Sequence, residues 1–551
     1  MFAGISIIHS CTKLQERVLD ESSATGLTEQ QIAEGNIAPV YALLPTLYQH
    51  TNLFALQEIS TDEAILPYRG GTDWGDNGIY LSLHRHETLS SDPNVNNTWN
   101  QIVQSISRSV TAISALATNN YVNAKTFLAE ARAMRAYYNM MSLDLFGIAF
   151  RKEDPAGTSE IIRGDDAINY IKAELLAVEP ALDNSTGPGR ITKAGVWGLL
   201  AKLHLNAAVW RDRYAATFTF KQEDMDKVIE YTDKIISSNL FQLAPEYFSV
   251  FDNNNHNNKE LIFAIDQRSD LNGHNRMAYF SLSGDHFPLP SVPAANGTDG
   301  PAITPDFYQS WATAYAPVDP ATADPRFYKK NLIIPADSCI LGTDFKIDRG
   351  VLRGQQYGLI GGRSIPFTTC GAGRYKISKL YNVTRGKPNL PVEFTEAINF
   401  TVAGSDYNTG YRVEKYEFSS VTTDGRNRGE HDIVILRLAD IYLMRAEAKL
   451  RKNNDAAGAM ADVNTVRASR TARGVPPPMI TMSLDLLFRE RGFELYWEHQ
   501  RRTDMIRFGK YEGTWTEKTN TDKNKRVFPI PQNAINGASN IPGYLVQNPG
   551  Y

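Results

Sequence analysis

The stretch FRERGFELYWEHQRRTDMIRFG, Phe488 to Gly509, decides how the C-terminal part of the chain is built. It carries five arginines, three glutamates and one aspartate among Phe, Tyr, Trp, Leu, Met and Ile. Arginine interleaved with aromatics serves either a nucleic-acid surface or ion pairs inside a helical core. On a helix from Leu484, the residues Leu487, Phe488, Arg491, Leu495, Glu498 and Arg502 recur at three- and four-residue steps. That stripe starts apolar and takes up charges of both signs. Within it Arg491 meets Glu494 or Leu495 in one turn, and Glu498 meets Arg502. Five cations against four anions leave too little positive charge for a phosphate surface. The stretch predicts a partly buried ion-pair network that orients the last helices, because buried pairs specify geometry more than they stabilise.

The rest of the chain agrees with a helical reading. Apolar residues fall at helical spacing in Ile37–Leu56, with a kink expected at Pro45, in Trp99–Thr118 and in Asn123–Gly147. The same spacing runs through DDAINYIKAELLAVEPAL, TKAGVWGLLAKLHLNAAVW, DMDKVIEYTDKIISS, ILRLADIYLMRAEAKLRK and DAAGAMADVNTVRASR. Small residues recur where helices must approach closely: Ala129, Ala133 and Ala136; Ala194, Gly195, Gly198 and Ala201; Ala439, Ala446 and Ala448. Helix–turn–helix units of this kind read as degenerate tetratricopeptide-like pairs. Between about Phe241 and His431 the character changes. Gly, Pro, Asn and Asp rise, and short pieces such as ELIFAID and YRVEKYEF read as strands. The expected fold is mostly α: a tetratricopeptide-like scaffold carrying a large irregular subdomain of loops and short strands.

The formal net charge of −4 over 551 residues gives no global pull on nucleic acid or anionic lipid. No apolar run reaches the roughly 20 residues that span a bilayer. The three cysteines, Cys11, Cys339 and Cys370, form no zinc spacing and no CxxC motif. Cys339 and Cys370 share one Gly-rich region, where they either pair, in an exported protein, or stay free thiols. The opening MFAGISIIHSC ends in a small residue before a Cys, as in a bacterial lipoprotein cleavage site. It has no Lys or Arg ahead of a short apolar stretch. It reads either as a truncated leader over residues 1–11 or as an ordinary N-terminus.

Several motifs together resemble the SusD/RagB proteins of the Bacteroidetes outer membrane. They are LRLADIYLMRAEAKLR, AGAMADVNTVRASR, LDLLFRERGFELYWEHQRRTDMIRFG, FPIPQNAIN and QNPGY near the end. Earlier come EARAMRAYYNMMSLDLFG, GPGRITKAGVWGLLAKLHLNAAVW, DPRFYKKNLI, STDEAILPYRGGTDWGDNG with TWNQIVQSI, and CTKLQERVLDESS. The resemblance implies a helical region over 12–240 with a ligand-face loop, and a C-terminal region over 241–551 with the irregular subdomain and last helical pairs. It implies a non-enzymatic binding protein, lipid-anchored through Cys11 at the outer-membrane surface. Such a protein captures oligosaccharides for a SusC-like TonB-dependent transporter. A peptide ligand, as in the RagB branch, is the alternative. A tetratricopeptide scaffold for protein partners and a glycoside hydrolase are weaker rivals; HExxH, GxSxG, P-loop and GxGxxG motifs are all missing from a suitable context. No cofactor and no metal are expected.

A carbohydrate site needs flat aromatics for stacking and planar polar groups for hydroxyls. The loop PYRGGTDWGDNGIY, Pro67–Tyr80, offers Trp74 as the platform and Arg69, Asp73, Asp76 and Asn77 as hydrogen-bonding groups. The alternative is a Gly70–Gly71 turn with Trp74 plugging the scaffold. NGHNRMAYFSLSGDHF, Asn272–Phe287, offers Tyr279, Phe280 and His286 as an opposite wall, unless its aromatics face the core. His84 and His86 are expected on one face of a strand in a structural role, since no third metal ligand is evident. The Asp/Asn runs DPNVNN and DNNNHNN read as turns.

Overall fold

The structure, a computed structural model, describes residues 26–67, 69, 78–267, 276–292, 294–363, 365–398, 407–419 and 429–551. Its helices begin where the sequence supplies caps. Thr28 and Gln31 close a capping box on Glu29–Tyr41. Asp92 receives the Asn94 and Val95 amides ahead of Pro93–Leu116, with Pro93 in the first turn. Thr192 caps Lys193–Arg211. Gly147, at φ 71°, ends Ala124–Phe146 in the left-handed conformation that glycine tolerates.

Successive helices pack on one another. Glu29–Tyr41 and Ala124–Phe146 both lie against Pro93–Leu116; Ala124–Phe146 then meets Gly164–Val178, which meets Lys193–Arg211, which meets Gln222–Ser237. The chain then leaves the stack for the irregular region and returns at Leu438–Asn453, which packs on Gln222–Ser237 and on the next helix, Ala456–Ser469. This is the tetratricopeptide-like arrangement. The small residues sit at its contacts: Ala129, Ala133, Ala136, Ala194, Ala201, Ala439, Ala446 and Ala448 are all buried. Gly198 shows why. A Cβ there would lie 2.0 Å from Leu436 Cδ2, so only glycine lets this helix rest on the strand Ile433–Arg437. That strand pairs antiparallel with Leu261–Ile265 and joins the helical scaffold to the irregular subdomain.

The subdomain consists of short antiparallel pairs. Ala64–Ile65 pairs with Ala302–Ile303, and Arg412–Glu414 lies beside Arg349–Leu352, itself beside Tyr328–Lys329. Cys339 and Cys370 form a disulfide that ties Cys339–Leu341 to Thr369–Gly371. Both of these strands pair with Arg374–Lys379.

Three local expectations are corrected. Ile37–Leu56 is not one kinked helix: it ends at Tyr41, restarts as Leu44–Leu47 with Pro45 in its first turn, and passes into the π-helical turn Ala55–Ile59. His84 and His86 are not on a strand; His84 closes the helix Ile79–His84 and His86 has φ 59°. The stretch from Leu484 is two helices, Leu484–Leu495 and Arg501–Arg507, with Trp497 and His499 between them at φ 64° and 60°. The break redirects the ion pairs. Arg491 meets Asp504 at 2.7 Å and Asp440 at 3.1 Å instead of Glu494, and Glu498 meets Lys415 and Arg437 instead of Arg502. Arg502 reaches Asp144 at 3.0 Å. All of these groups are buried, so the stretch is an internal network, as its charge balance implied.

Candidate functional site

The described residues that flank the segment expected to form the ligand face make a rigid base. Before that segment come the π-helical turn Ala55–Ile59 and the strand Ala64–Ile65. Glu58 accepts the Gln500 amide at 2.8 Å and Glu63 accepts the Trp497 amide at 2.7 Å. Burial raises both carboxyls, Glu63 to about 7 and Glu58 well above its ordinary range, and each is also raised by its acidic surroundings. Arg501 grips Asp62 through two bonds, at 2.7 and 2.8 Å. His84 places one ring nitrogen 2.8 Å from the Ile59 carbonyl and the other 2.8 Å from that of Thr516. His86 approaches the Ser60 carbonyl and stacks on Tyr511 with centroids 4.2 Å apart. Burial lowers the pKa of both rings. Both histidines are therefore structural supports, locking the turn from which the loop departs.

Arg69 is fully buried. Its Nε donates to the Gly300 carbonyl at 2.9 Å and an Nη to the Thr409 carbonyl at 2.8 Å. A group expected to meet ligand hydroxyls is instead a clamp joining three separate segments. The reason is supply: a guanidinium offers five donors, and backbone carbonyls at the meeting point of three loops have no regular partners. Asp73, Trp74, Asp76 and Asn77 lie outside the described residues, as does Cys11.

Of the opposite wall, Tyr279 and Phe280 point inward. Phe280 packs edge-on against Phe54 at 4.9 Å and beside Trp497 at 6.3 Å, and Tyr279 lies 5.2 Å from Phe418. At 3% and 1% exposure they form a floor rather than an open face. His286 is also buried, but it lines a cavity of about 710 Å³ with Tyr328, Arg353, Gln355 and Tyr357. Burial lowers its pKa to about 4, which keeps the imidazole neutral at pH 7.

Sequence reasoning missed one aromatic pair. Tyr308 and Tyr411 are half-buried and meet edge-to-face at 4.8 Å, with the Arg353 guanidinium 5.8 Å over the Tyr308 ring. The Tyr411 carbonyl accepts the Ile303 amide, so the pair lies beside the strand pair of Ala64–Ile65 with Ala302–Ile303. The only available signal was aromatic content, which does not separate a platform from a core residue. A second grouping brings His256, Asp266 and Asp432 together, with ligand atoms within 4.8 Å of one another and His256 Nδ1 2.7 Å from Asp432. This is the donor set that could hold a metal, though an Asp–His pair explains the same contact.

Comparison with known proteins matches residues 398–551 to the model of the SusD family. The chain is 28% identical to the starch-binding protein SusD of Bacteroides thetaiotaomicron, over 77% of this chain and 72% of that protein. Among solved structures, surface glycan-binding protein A of Bacteroides thetaiotaomicron in complex with laminarihexaose superposes with a TM-score of 0.64 at 19% identity, covering 94% of this chain and 98% of that one. A SusD superfamily protein from Parabacteroides distasonis gives 0.67 at 17%, covering 95% and 100%. At these identities the structural matches establish the shared fold.

Proposed function

The chain belongs to the SusD family, and from that premise we propose that it captures oligosaccharides at the cell surface for import through a SusC-like TonB-dependent transporter. The observation that carries the reading is the alignment with the starch-binding protein along 77% of the chain. The laminarihexaose complex of a protein with the same fold supports a glycan as ligand class. Trp74 is the proposed stacking platform, with Asp73, Asp76 and Asn77 as hydroxyl partners on a loop that Arg69 clamps from behind. Tyr279 and Phe280 support the face from inside, and His286 contributes through the cavity it lines. Cys11 is the proposed lipid site, which holds the protein at the outer membrane. No helix among the described residues is long and apolar enough to cross a membrane. The protein acts by binding and release, without catalysis.

The test is calorimetric titration of wild type and Trp74→Ala with a panel of neutral oligosaccharides, alongside thermal melting. Loss of the ring is expected to weaken binding by about 1–3 kcal/mol with an unchanged melting temperature. Retained affinity with a melting temperature several degrees lower would make Trp74 a core plug. Turnover of any glycan would overturn the binding-only reading, and binding of peptides alone would favour the RagB-like alternative.

A further inference from the structure

The irregular subdomain holds a cavity of about 710 Å³ between the segment Tyr328–Ala336 and the turn through Arg353 to Tyr357. That volume falls within the range of small-ligand sites. Its lining combines apolar Leu332, Ile334 and Val351 with polar Lys330, Arg353 and Tyr357. We propose that this cavity is a second saccharide site, separate from the Pro67–Tyr80 loop, that selects a sugar unit bearing a carboxylate. The proposal rests on the glycan-capture reading for its ligand class alone.

The charge of the lining carries the selectivity. Asp348 is its single acid, and that carboxylate is already occupied. One oxygen accepts the Asn331 and Leu332 amides at 2.7 and 2.8 Å, and the other accepts the Tyr328 hydroxyl at 2.5 Å. Lys330 is exposed and makes no ion pair among the described residues. Arg353 is paired with Asp319 at 2.8 Å, but that aspartate is half-exposed and stands outside the cavity. The lining therefore carries two cations against one carboxylate, and Lys330 is the cation that no ion pair among the described residues holds; this surplus favours an anionic guest over a neutral one.

The remaining features suit a pyranose. Tyr357 is half-buried and has no ring contact among the described residues, so its face is available for stacking on sugar C–H groups. His286 lies in the lining at 2% exposure, and its Nδ1 has no hydrogen-bond partner. A buried polar nitrogen without a partner is uncommon, and a hydroxyl entering at that depth would satisfy it.

Saturation-transfer NMR on the Trp74→Ala protein, in which the loop site is weakened, tests the proposal. The probes are glucuronate and galacturonate against glucose and galactose. Transfer to at least one uronate and to neither neutral sugar is expected. Lys330→Glu should weaken it about fivefold, as for reversal of one exposed ion pair. Tyr357→Ala should weaken it by about fivefold or more, as for loss of a stacking ring. Raising salt from about 50 to about 300 mM should weaken it as well. Lys330 is exposed and unpaired, so its substitution leaves the fold intact, and melting curves verify this. No transfer to either uronate, equal transfer to the neutral sugars, or indifference to Lys330→Glu would overturn the proposal. The two sites separate cleanly: wild-type protein that binds no oligosaccharide while the uronate signal persists sinks the loop reading and leaves this one standing.

Discussion

Glu494 accepts from Arg437 twice, through its carboxylate at 2.7 Å and through its own backbone carbonyl at 2.7 Å. Arg437 spends its remaining donors on Glu260 and on both oxygens of Glu498, so all five of its N–H groups are satisfied. Arg326 and Arg470 complete the shell around Glu494, and its carboxyl is held well below the usual range: burial raises it, but the three guanidiniums outweigh burial. Among the described residues the connected set is balanced. Arg326, Arg437, Arg467, Arg470 and Lys415 face Asp324, Glu260, Glu490, Glu494 and Glu498, all buried. A charge-neutral cluster sets the relative placement of strand, subdomain and last helices, and removing any one member leaves a charge stranded.

The same logic applies to Arg491, which is 2% exposed and holds Asp504 with two bonds and Asp440 with one. Arg491→Ala is expected to destabilise the fold by about 3–5 kcal/mol, because Asp440 and Asp504 stay buried with only Lys202 and Arg507 left beside them. The denaturant midpoint reads this; a shift within error would mean that the carboxylates are hydrated in the folded state.

Stability should form a dome in pH. Burial raises Asp440 and Glu447, but Lys202 and Arg491 around the first, and Arg507 and Arg451 around the second, outweigh it and hold each at about 2. Unfolded, such groups titrate near ~4. Their contribution is therefore complete above the unfolded value and is lost as pH falls through about 2. Glu63 acts in the opposite sense. Burial lifts it to about 7, so its contribution is present at acid pH and is lost as pH rises through about 7. Melting temperature against pH should peak between the two limbs. Glu63→Gln should make the neutral limb shallower, leaving the share of the other raised carboxyls such as Glu58, without touching the acid one.

The disulfide closes a separation of 31 residues within the subdomain. Its loss through a Cys339→Ser, Cys370→Ser double variant is expected to destabilise that region by about 3–4 kcal/mol. Hydrogen exchange should show the change concentrated in Arg374–Lys379 and its neighbours, with Ala124–Phe146 protected as before.

Arg69→Ala removes a clamp and leaves the Gly300 and Thr409 carbonyls without those bonds, at a cost of about 1–3 kcal/mol. Limited proteolysis between residues 67 and 80 should accelerate. Oligosaccharide affinity should fall even though the guanidinium is buried, which distinguishes a clamp from a contact.

Much of this was legible before any coordinates. The helices at Trp99–Thr118 and Asn123–Gly147 appear within a few residues of their periodicity, because an apolar stripe at helical spacing has one way to be buried. The mixed charges of Phe488–Gly509 correctly indicated an internal network. Its partners were not legible: Arg437, Arg326 and Asp144 lie far away in sequence, and local spacing reports only neighbours within a turn. The break at Trp497 and His499 was hidden for a related reason. Neither Pro nor Gly marks it; the left-handed turns are held by tertiary bonds such as that from Trp497 N to Glu63. The Cys339–Cys370 pairing stayed open because composition does not state distance. At the site, Tyr279 and Phe280 show the same blindness, since an aromatic suited to stacking on a sugar is equally suited to packing on Phe54 or Phe418.

Glu58, Asp62 and Glu63 find their partners at Gln500, Arg501 and Trp497, across separations of 442, 439 and 434 residues. A nascent chain emerging from its N-terminus therefore carries three carboxylates for most of its synthesis with nothing to close on. They stay hydrated, and the segment that follows them stays unshaped, until the last tenth of the polypeptide arrives. The base of the proposed ligand face is thus among the first parts to be made and the last to mature. A chain stopped short of Trp497 would contain the whole of Pro67–Tyr80 and still lack the bonds that fix the base beneath it.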